Sequence, residues 1–174
     1  MKIYKIQTKN LTNILINKII YLKNTEWKHG IKSNLSWFKK NIRKNDIHIL
    51  LLKKNHLIAY NVLRKRIFII NKKKYNYYYF DTLIVDKKFR GKNLVKKIIN
   101  QNIKIYKKIK IPMFLLCRKK LVHFYKKNNW FLLNNKKRYI FKDFKHNKNI
   151  MIFAAQSFIK KFILPNKVFL FLNK

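Results

Sequence analysis

Lys88, Arg90, Gly91 and Lys92 stand where a β-rich apolar run, Phe80 to Val85, breaks at Asp86 and gives way to Leu94, Ile98, Ile99 and Ile103 at helical spacing. The pattern predicts a strand, a short basic loop and a helix. At a helix start the unpaired backbone N–H groups and the dipole already favour an anion, and a guanidinium beside them adds directed donors. A phosphate-bearing ligand would be held there by backbone and side chain together. The same residues could also form an ordinary solvated connection. A second group capable of chemistry is Glu26 with Trp27, His29 and Gly30, in a stretch from Asn24 to Lys32 that reads as a loop. In a chain with 5 Asp and Glu residues, an acid beside a large ring is a candidate substrate wall.

The elements that must position these groups follow from periodicity. Met1 to Gln7 alternates like a short strand, and Leu11 to Lys23 carries Ile14, Ile16, Ile19, Ile20 and Leu22 in an approximate helical pattern that Thr12 could cap. A second helix is expected over Leu35 to Asn41, started by Asn34 or Ser36, with Trp37 and Phe38 available to pack it onto a sheet. Ile47 to Leu52 and Leu57 to Leu63 form a hairpin about a polar turn. Arg64-Lys65-Arg66 interrupts, Ile67 to Ile70 extends the sheet, and Tyr75 to Val85 is a long strand feeding the basic loop. The next helix ends before Pro112; Met113 to Cys117 is then a buried strand, Lys119 to Lys127 a helix ended by Asn128 and Asn129, and Trp130 to Leu133 the start of another strand. Tyr139 to Phe144, Ile150 to Ile163 and Val168 to Leu172 mix β-like and apolar runs. Antiparallel strands followed by a strand-to-helix crossover predict a mixed α/β fold with its ligand site where meander and crossover meet. With no linker and no repeat, residues 1–174 read as a single domain.

Composition narrows the functional classes. A chain of 174 residues that is 48% hydrophobic and 16% aromatic can bury a core and is not expected to be disordered. Lys and Arg number 44, giving a formal charge of +39. Such a chain repels itself and attracts nucleic acid, anionic lipid and acidic solutes. The excess runs along every segment, whereas a dedicated nucleic-acid face is usually local, so the charge reads mainly as a bias over the whole fold. No run reaches the roughly 18 apolar residues of a membrane span, and the opening lacks the apolar stretch of a secretory leader. No membrane insertion and a cytoplasmic location are therefore expected. The lone Cys117 excludes an internal disulfide, and five histidines outside ligand spacing give no metal site.

Two stretches carry a resemblance to a known family. Phe89-Arg90-Gly91-Lys92-Asn93-Leu94-Val95, within Val85 to Ile99, resembles the acyl-CoA-binding segment of the GNAT N-acetyltransferase superfamily. Leu121 to Phe131, with its Phe124-Tyr125 pair before Asn128-Asn129-Trp130-Phe131, resembles that family's second signature. The resemblance spans nearly all of residues 1–135. It implies a mixed, strongly twisted central sheet flanked by helices, the fourth strand (Tyr77 to Val85) splaying from the fifth (Met113 to Leu116), and acetyl-CoA as co-substrate. It further implies that Leu83, Ile84, Val85 and Phe124 line the co-substrate and that the main-chain N–H groups of Arg90, Gly91, Lys92, Asn93, Leu94 and Val95 face its pyrophosphate. Where the family favours glycine, and glycine or alanine, this chain has Asn93 and Val95.

Tyr125 matches the tyrosine that the family sets beside the thioester sulfur to protonate the departing thiolate. Glu26, Asp81 and His123 are the candidates for a general base, although neighbouring helix residues such as His123 and Tyr125 point about 100° apart; a relayed water would also serve. The resemblance thus implies transfer of an acetyl group from acetyl-CoA to an amine. The sequence does not choose among a polyamine-like metabolite, an aminoglycoside-like antibiotic, an amino sugar and a protein or peptide lysine. The expectation taken is direct transfer to a primary amine of a small molecule, which local acids such as Glu26 and Asp81 could capture against the repulsion of the whole chain. Two other classes remain open. One is a basic nucleic-acid-binding protein that stacks bases on Tyr77, Tyr78 or Tyr79, the other a catalytically inactive GNAT-fold interaction protein. Expected partners are acyl-CoA and the amine, with nucleic acid drawn by charge and a homodimer allowed.

Overall fold

The computed structural model describes residues 1–135 and 137–173, which pack as two compact units. One comprises Met1–Arg64 with Phe80–Lys104, the other Lys65–Tyr79 with Ile105–Lys174. Strands β3 (His56–Ile70) and β4 (Lys73–Val85) and helix α3 (Leu94–Ile109) run through both.

In the first unit, β1 (Lys2–Gln7) pairs antiparallel with β2 (Ile47–Lys53), and β2 pairs antiparallel with β3. Helix α1 (Asn13–Glu26) begins where Thr12 Oγ1 accepts from the Leu15 N–H at 3.3 Å, the N-cap its sequence promised. Its Ile19, Ile20 and Leu22 are buried against Leu50, Leu52, Leu57, Tyr60 and Ile84, with Phe38 of α2 (Ile31–Asn41) completing the cluster. Burying each such side chain stabilises by roughly 1.5–3 kcal/mol, which is what holds α1 to the sheet. His48 is also buried, bridged by Thr8 Oγ1 at 2.8 Å and the Tyr60 hydroxyl at 2.7 Å, and burial pushes its pKa down to about 3.

In the second unit, β4 pairs in parallel with β5 (Met113–Cys117) through Tyr78 with Met113 and Tyr79 with Phe114. Strand β8 (Asn149–Phe153) lies antiparallel to β5 and to β6 (Phe131–Leu133), while β9 (Val168–Leu170) pairs with the end of β3 and with β7 (Tyr139–Phe141). Phe68, Tyr77, Phe114, Ile150, Ile163 and Leu170 are the centre of its apolar core. The hydrogen-bonded order is β1-β2-β3-β4-β5-β8-β6. With its flanking helices this is the mixed α/β, GNAT-like architecture that the order of elements and the resemblance imply.

Several boundaries differ from the sequence expectation. Helix α1 runs on through Glu26, three residues past the Lys23 at which the sequence predicts a loop to take over, so Glu26 stands on a helix end and not in a loop. Strand β3 does not break at Arg64-Lys65-Arg66, because both arginines are buried with partners: Arg64 meets Asp81, and Arg66 Nε donates to the Leu172 carbonyl at 2.7 Å. Helix α2 starts at Ile31 after Gly30, one turn before Leu35, because Asn34 braces the turn: its Nδ2 donates to Asn24 Oδ1, the Trp27 carbonyl and the Gly30 carbonyl. The apolar run after Ile150 is a strand only to Phe153 and is helical from Gln156 to Ile163. Tyr77, Tyr78 and Tyr79 are all buried, so none offers a ring face for a nucleobase.

The Tyr77 hydroxyl donates to the Phe171 carbonyl at 2.8 Å. Tyr77→Phe keeps the ring packing and removes that donor. Stability measured by urea unfolding should fall by about 1–3 kcal/mol, the cost of a buried carbonyl losing its partner.

Candidate functional site

The basic loop takes its shape from residues that tolerate unusual backbone. After β4 ends at Val85, Asp86 Oδ1 caps a short turn by accepting from the Lys88 N–H at 3.0 Å, and Oδ2 meets His56 Nε2 at 2.9 Å. Gly91 (φ 78°) and Asn93 (φ 54°) then adopt the left-handed conformation, which glycine enters freely and asparagine more readily than most residues. Helix α3 begins at Leu94, with the Asn93 carbonyl accepting from the Lys97 N–H at 3.3 Å. Gly91, Lys92 and Asn93 are exposed, Leu94 is buried and Val95 half-buried. A Cβ placed on Gly91 would meet nothing within 4 Å, so a ligand can approach this backbone closely. Left-handed residues, a helix start and open space above a glycine fit a diphosphate.

Arg90 lies beside this loop and is doubly held. Its Nε donates to the Val85 carbonyl at 3.2 Å, and a terminal nitrogen pairs with Glu26 at the end of α1. The structure therefore brings together the expected phosphate-facing cation and one expected base. Along β4, Leu83 is half-buried, while Ile84 and Val85 are buried, so these last two can offer a ligand mainly their backbone.

Asp81 and Thr82 border a cavity of about 270 Å³, lined also by Lys23, Trp27, His29, Ser33, Asn34 and Trp37. Thr82 has φ 54°, a strained conformation for a β-branched residue inside a strand, of a kind that collects at functional sites. Asp81 stabilises it: Oδ1 accepts from the Thr82 N–H at 2.7 Å, while the Asp81 carbonyl accepts from Asn61 Nδ2 at 2.7 Å. Its Oδ2 pairs with buried Arg64 at 3.0 Å. Lys23 is 94% removed from solvent by the chain around it, being 6% exposed, and its ammonium sits 3.1 Å from the centre of the Trp37 ring. Burial lowers the Lys23 pKa to about 8 against the opposing attraction of Asp81.

In the second unit, Tyr125 is buried on α4 (Val122–Lys126) between the rings of Phe124 and Trp130, at 5.1 and 5.8 Å. Burial raises its pKa well above the usual phenol value, with the Cys117 thiol adding to the shift. His123 is exposed where Tyr125 is buried, so the two present different faces, as helical spacing requires. Asn129 (φ 64°) ends the segment in the left-handed conformation.

Lys23, Asn61, Arg64 and Thr82 are the site residues that sequence reading passes over. Lys23 carries the period of an apolar helix face at i+4 from Ile19, and an arginine inside a β-branched run with one acid on a later strand is a pairing signal. Nothing in the local sequence announces the positive φ of Thr82.

Residues 15–130 match the model of the acetyltransferase (GNAT) family. No curated protein matches the chain in sequence. Among solved structures, an acyl-CoA N-acyltransferase from Pseudomonas aeruginosa superposes with a TM-score of 0.67 at 11% identity, covering 88% of this chain and 100% of that one. An aminoglycoside 6'-N-acetyltransferase complexed with coenzyme A gives 0.61 at 11% identity, over 88% and 97% of the two chains. The PaiA N-acetyltransferase of Thermoplasma acidophilum, in complex with coenzyme A, gives 0.57 at 17% identity over 89% and 100%.

The lowered pKa of Lys23 has a stability consequence whose sign is opposite to that of a paired lysine. Between about 8 and the ordinary 10.5 the unfolded chain binds the proton more tightly, so Lys23 costs stability at pH 7 and the cost disappears as pH rises through that window. Lys23→Met should raise the midpoint of thermal unfolding at pH 7, with the gain over the parent shrinking toward pH 10.5. An unchanged or lowered midpoint at pH 7 would show that the ring contact outweighs burial.

Proposed function

The chain belongs to the acetyltransferase (GNAT) family, and from that premise we propose how its residues serve the reaction. It is an acetyl-CoA-dependent N-acetyltransferase. In our reading residues 1–174 work as one cytoplasmic catalytic domain that transfers the acetyl group directly to a primary amine of a small molecule.

The observation that carries the reading is the passage from Val85 to Leu94, where Gly91 and Asn93 turn the backbone into the start of α3 with open space above Gly91. Its N–H groups would hold the pyrophosphate of the co-substrate, whose thioester supplies an activated acyl group. Arg90, tied to Glu26 and to the Val85 carbonyl, braces the loop, and the exposed Lys88 and Lys92 contribute positive potential. Leu83, Ile84 and Val85 would run beside the pantetheine arm, and Phe124 would add apolar surface. The acceptor amine would enter the cavity bordered by Asp81 and Thr82. Asp81 is a poor free base because it is committed to Arg64 and the Thr82 N–H, so it positions β4, and a water relays the amine's proton.

Tyr125 would serve the leaving thiolate. With its pKa raised by burial, the phenol stays protonated at every working pH yet is a reluctant acid. Its strongest contribution is then a hydrogen bond to the charge that develops on sulfur, and not full proton transfer in advance of bond cleavage.

Calorimetry at physiological salt should show saturable acetyl-CoA binding, and Gly91→Val should weaken it by about tenfold, since a β-branched residue at positive φ strains the loop by roughly 1–2 kcal/mol. No saturable binding by the parent would sink the reading. Tyr125→Phe should leave affinity nearly unchanged while slowing single-turnover transfer by roughly 10²–10³-fold, the usual loss of one transition-state donor. A rate within about twofold of the parent would remove Tyr125 from the mechanism.

A further inference from the structure

The chain has 5 carboxylate side chains, and each is already engaged. Glu26 pairs with Arg90. Asp46, fully buried, accepts from the Arg43 N–H at 2.8 Å. Asp81 holds Arg64 at 3.0 Å and the Thr82 N–H at 2.7 Å. Asp86 binds the Lys88 N–H and His56 at 3.0 and 2.9 Å. Asp143 accepts from the backbone N–H groups of Leu172 and Asn173 at 2.8 and 2.7 Å. A polycationic acceptor would find no uncommitted acid to recognise it.

The acceptor cavity has the opposite need. Its single acid, Asp81, is neutralised by Arg64, whereas the ammonium of Lys23 meets the rings of Trp37 and Trp27 and makes no ion pair among the described residues. Lys23, Arg64 and Asp81 together leave one net positive charge beside the cavity. A ring face is a weaker partner for a cation than an anion is, so the burial of Lys23 stays partly uncompensated, and its lowered pKa agrees. A protonated amine entering alone would add like charge. An amine that brought its own anion would supply what the cavity lacks. Its volume of about 270 Å³ corresponds to about nine waters, the scale of an amino acid.

We propose that the acceptor is a small amine bearing a carboxylate, and that the carboxylate pairs with Lys23 in the cavity lined by Trp27, Asn34, Trp37 and Asp81. This rests on the acetyltransferase reading for the amine, but the anion site stands on the cavity itself. Buried Asn34 and exposed Ser33 add polar groups to the lining, and Thr82 connects the cavity to the strand carrying Leu83 to Val85. Lys23 would act as a specificity residue, selecting the acceptor by charge.

Two measurements separate this proposal from the reading beneath it. In the first, calorimetry compares 3-phenylpropionate with 3-phenylpropylamine, which share ring and chain and differ in charge. The anion should bind at least about tenfold more tightly, Lys23→Met should erase the difference, and Lys23→Arg should retain most of it. Lack of saturable phenylpropionate binding, or preference for the amine, overturns the proposal even if acetyl-CoA binds normally. In the second, acetyl transfer is followed for phenylalanine against phenethylamine and leucine against isoamylamine. The carboxylated member of each pair should have the higher kcat/KM, with the advantage lost in Lys23→Met. Equal or better use of the decarboxylated amines, or of spermidine, overturns it as well. Failure of acetyl-CoA itself to bind would instead strike the acetyltransferase reading, whatever the carboxylate does.

Discussion

Arg64 sits inside β3 with 3% of its side chain exposed, and a guanidinium taken out of water there is tolerable only opposite a carboxylate. Asp81 supplies that partner from β4 at 3.0 Å. Removing one member of such a pair leaves an uncompensated charge and costs about 3–5 kcal/mol when fully buried, less here because Asp81 is partly exposed. The commitment also shapes the strand. With one oxygen on Arg64 and the other on the Thr82 N–H, Asp81 makes a positive φ at Thr82 affordable, and Asn61 takes up the Asp81 carbonyl. A charge pair and a side-chain amide thus help to hold the strand that leads into the basic loop.

Much of this was legible in the sequence because it is written in local periodicity. The apolar spacing of α1, the Thr12 cap, the β4–loop–α3 passage and the left-handed Asn93 and Asn129 all appear where their residue types predict. What was not legible depends on pairing at long range. Arg64 and Arg66 look like a polar interruption until Asp81 and the Leu172 carbonyl are placed beside them. Glu26 reads as a free acid until Arg90, 64 residues away, takes it. Asn34 looks like a helix cap, yet its amide reaches Asn24 of α1 and the Trp27 and Gly30 carbonyls of the turn, and the helix starts earlier. Carboxylates, arginines and amides resist reading from one sequence for the same reason: their conformational role is decided by partners that periodicity does not reveal.

The departures at Asn93 and Val95 have different physical weight. Asparagine occupies φ 54° at Asn93, so loss of glycine there does not cost the turn. Val95 lies one residue inside α3, half-buried, where a branched side chain can lie along the helix without changing the backbone that offers its N–H. An inactive, purely structural role therefore gains little from these two positions. The exposed Arg90–Glu26 pair contributes little to stability, as surface pairs generally give about 0–1 kcal/mol, but it fixes the direction of a cation beside the loop.

The excess of cations has a further structural answer. With 44 lysines and arginines against 5 acids, most cations cannot find a carboxylate, and 16% aromatic residues offer ring faces instead. Lys23 lies over Trp37, Lys53 and Lys92 over Phe89, and Lys142 and Lys167 over Phe169. At exposed sites each contact is worth about 0.5–1 kcal/mol and screens little of the long-range repulsion, so the rings arrange the lysines without neutralising them. For the four surface lysines this is sufficient, since water completes their solvation. Lys23 is the exception: it is 6% exposed, and the ring of Trp37 is its nearest charge-stabilising contact beside the cavity. The same compositional bias that decorates the surface thus leaves one uncompensated positive charge beside a small cavity, and at that place an ordinary consequence of composition becomes a means of selecting a substrate.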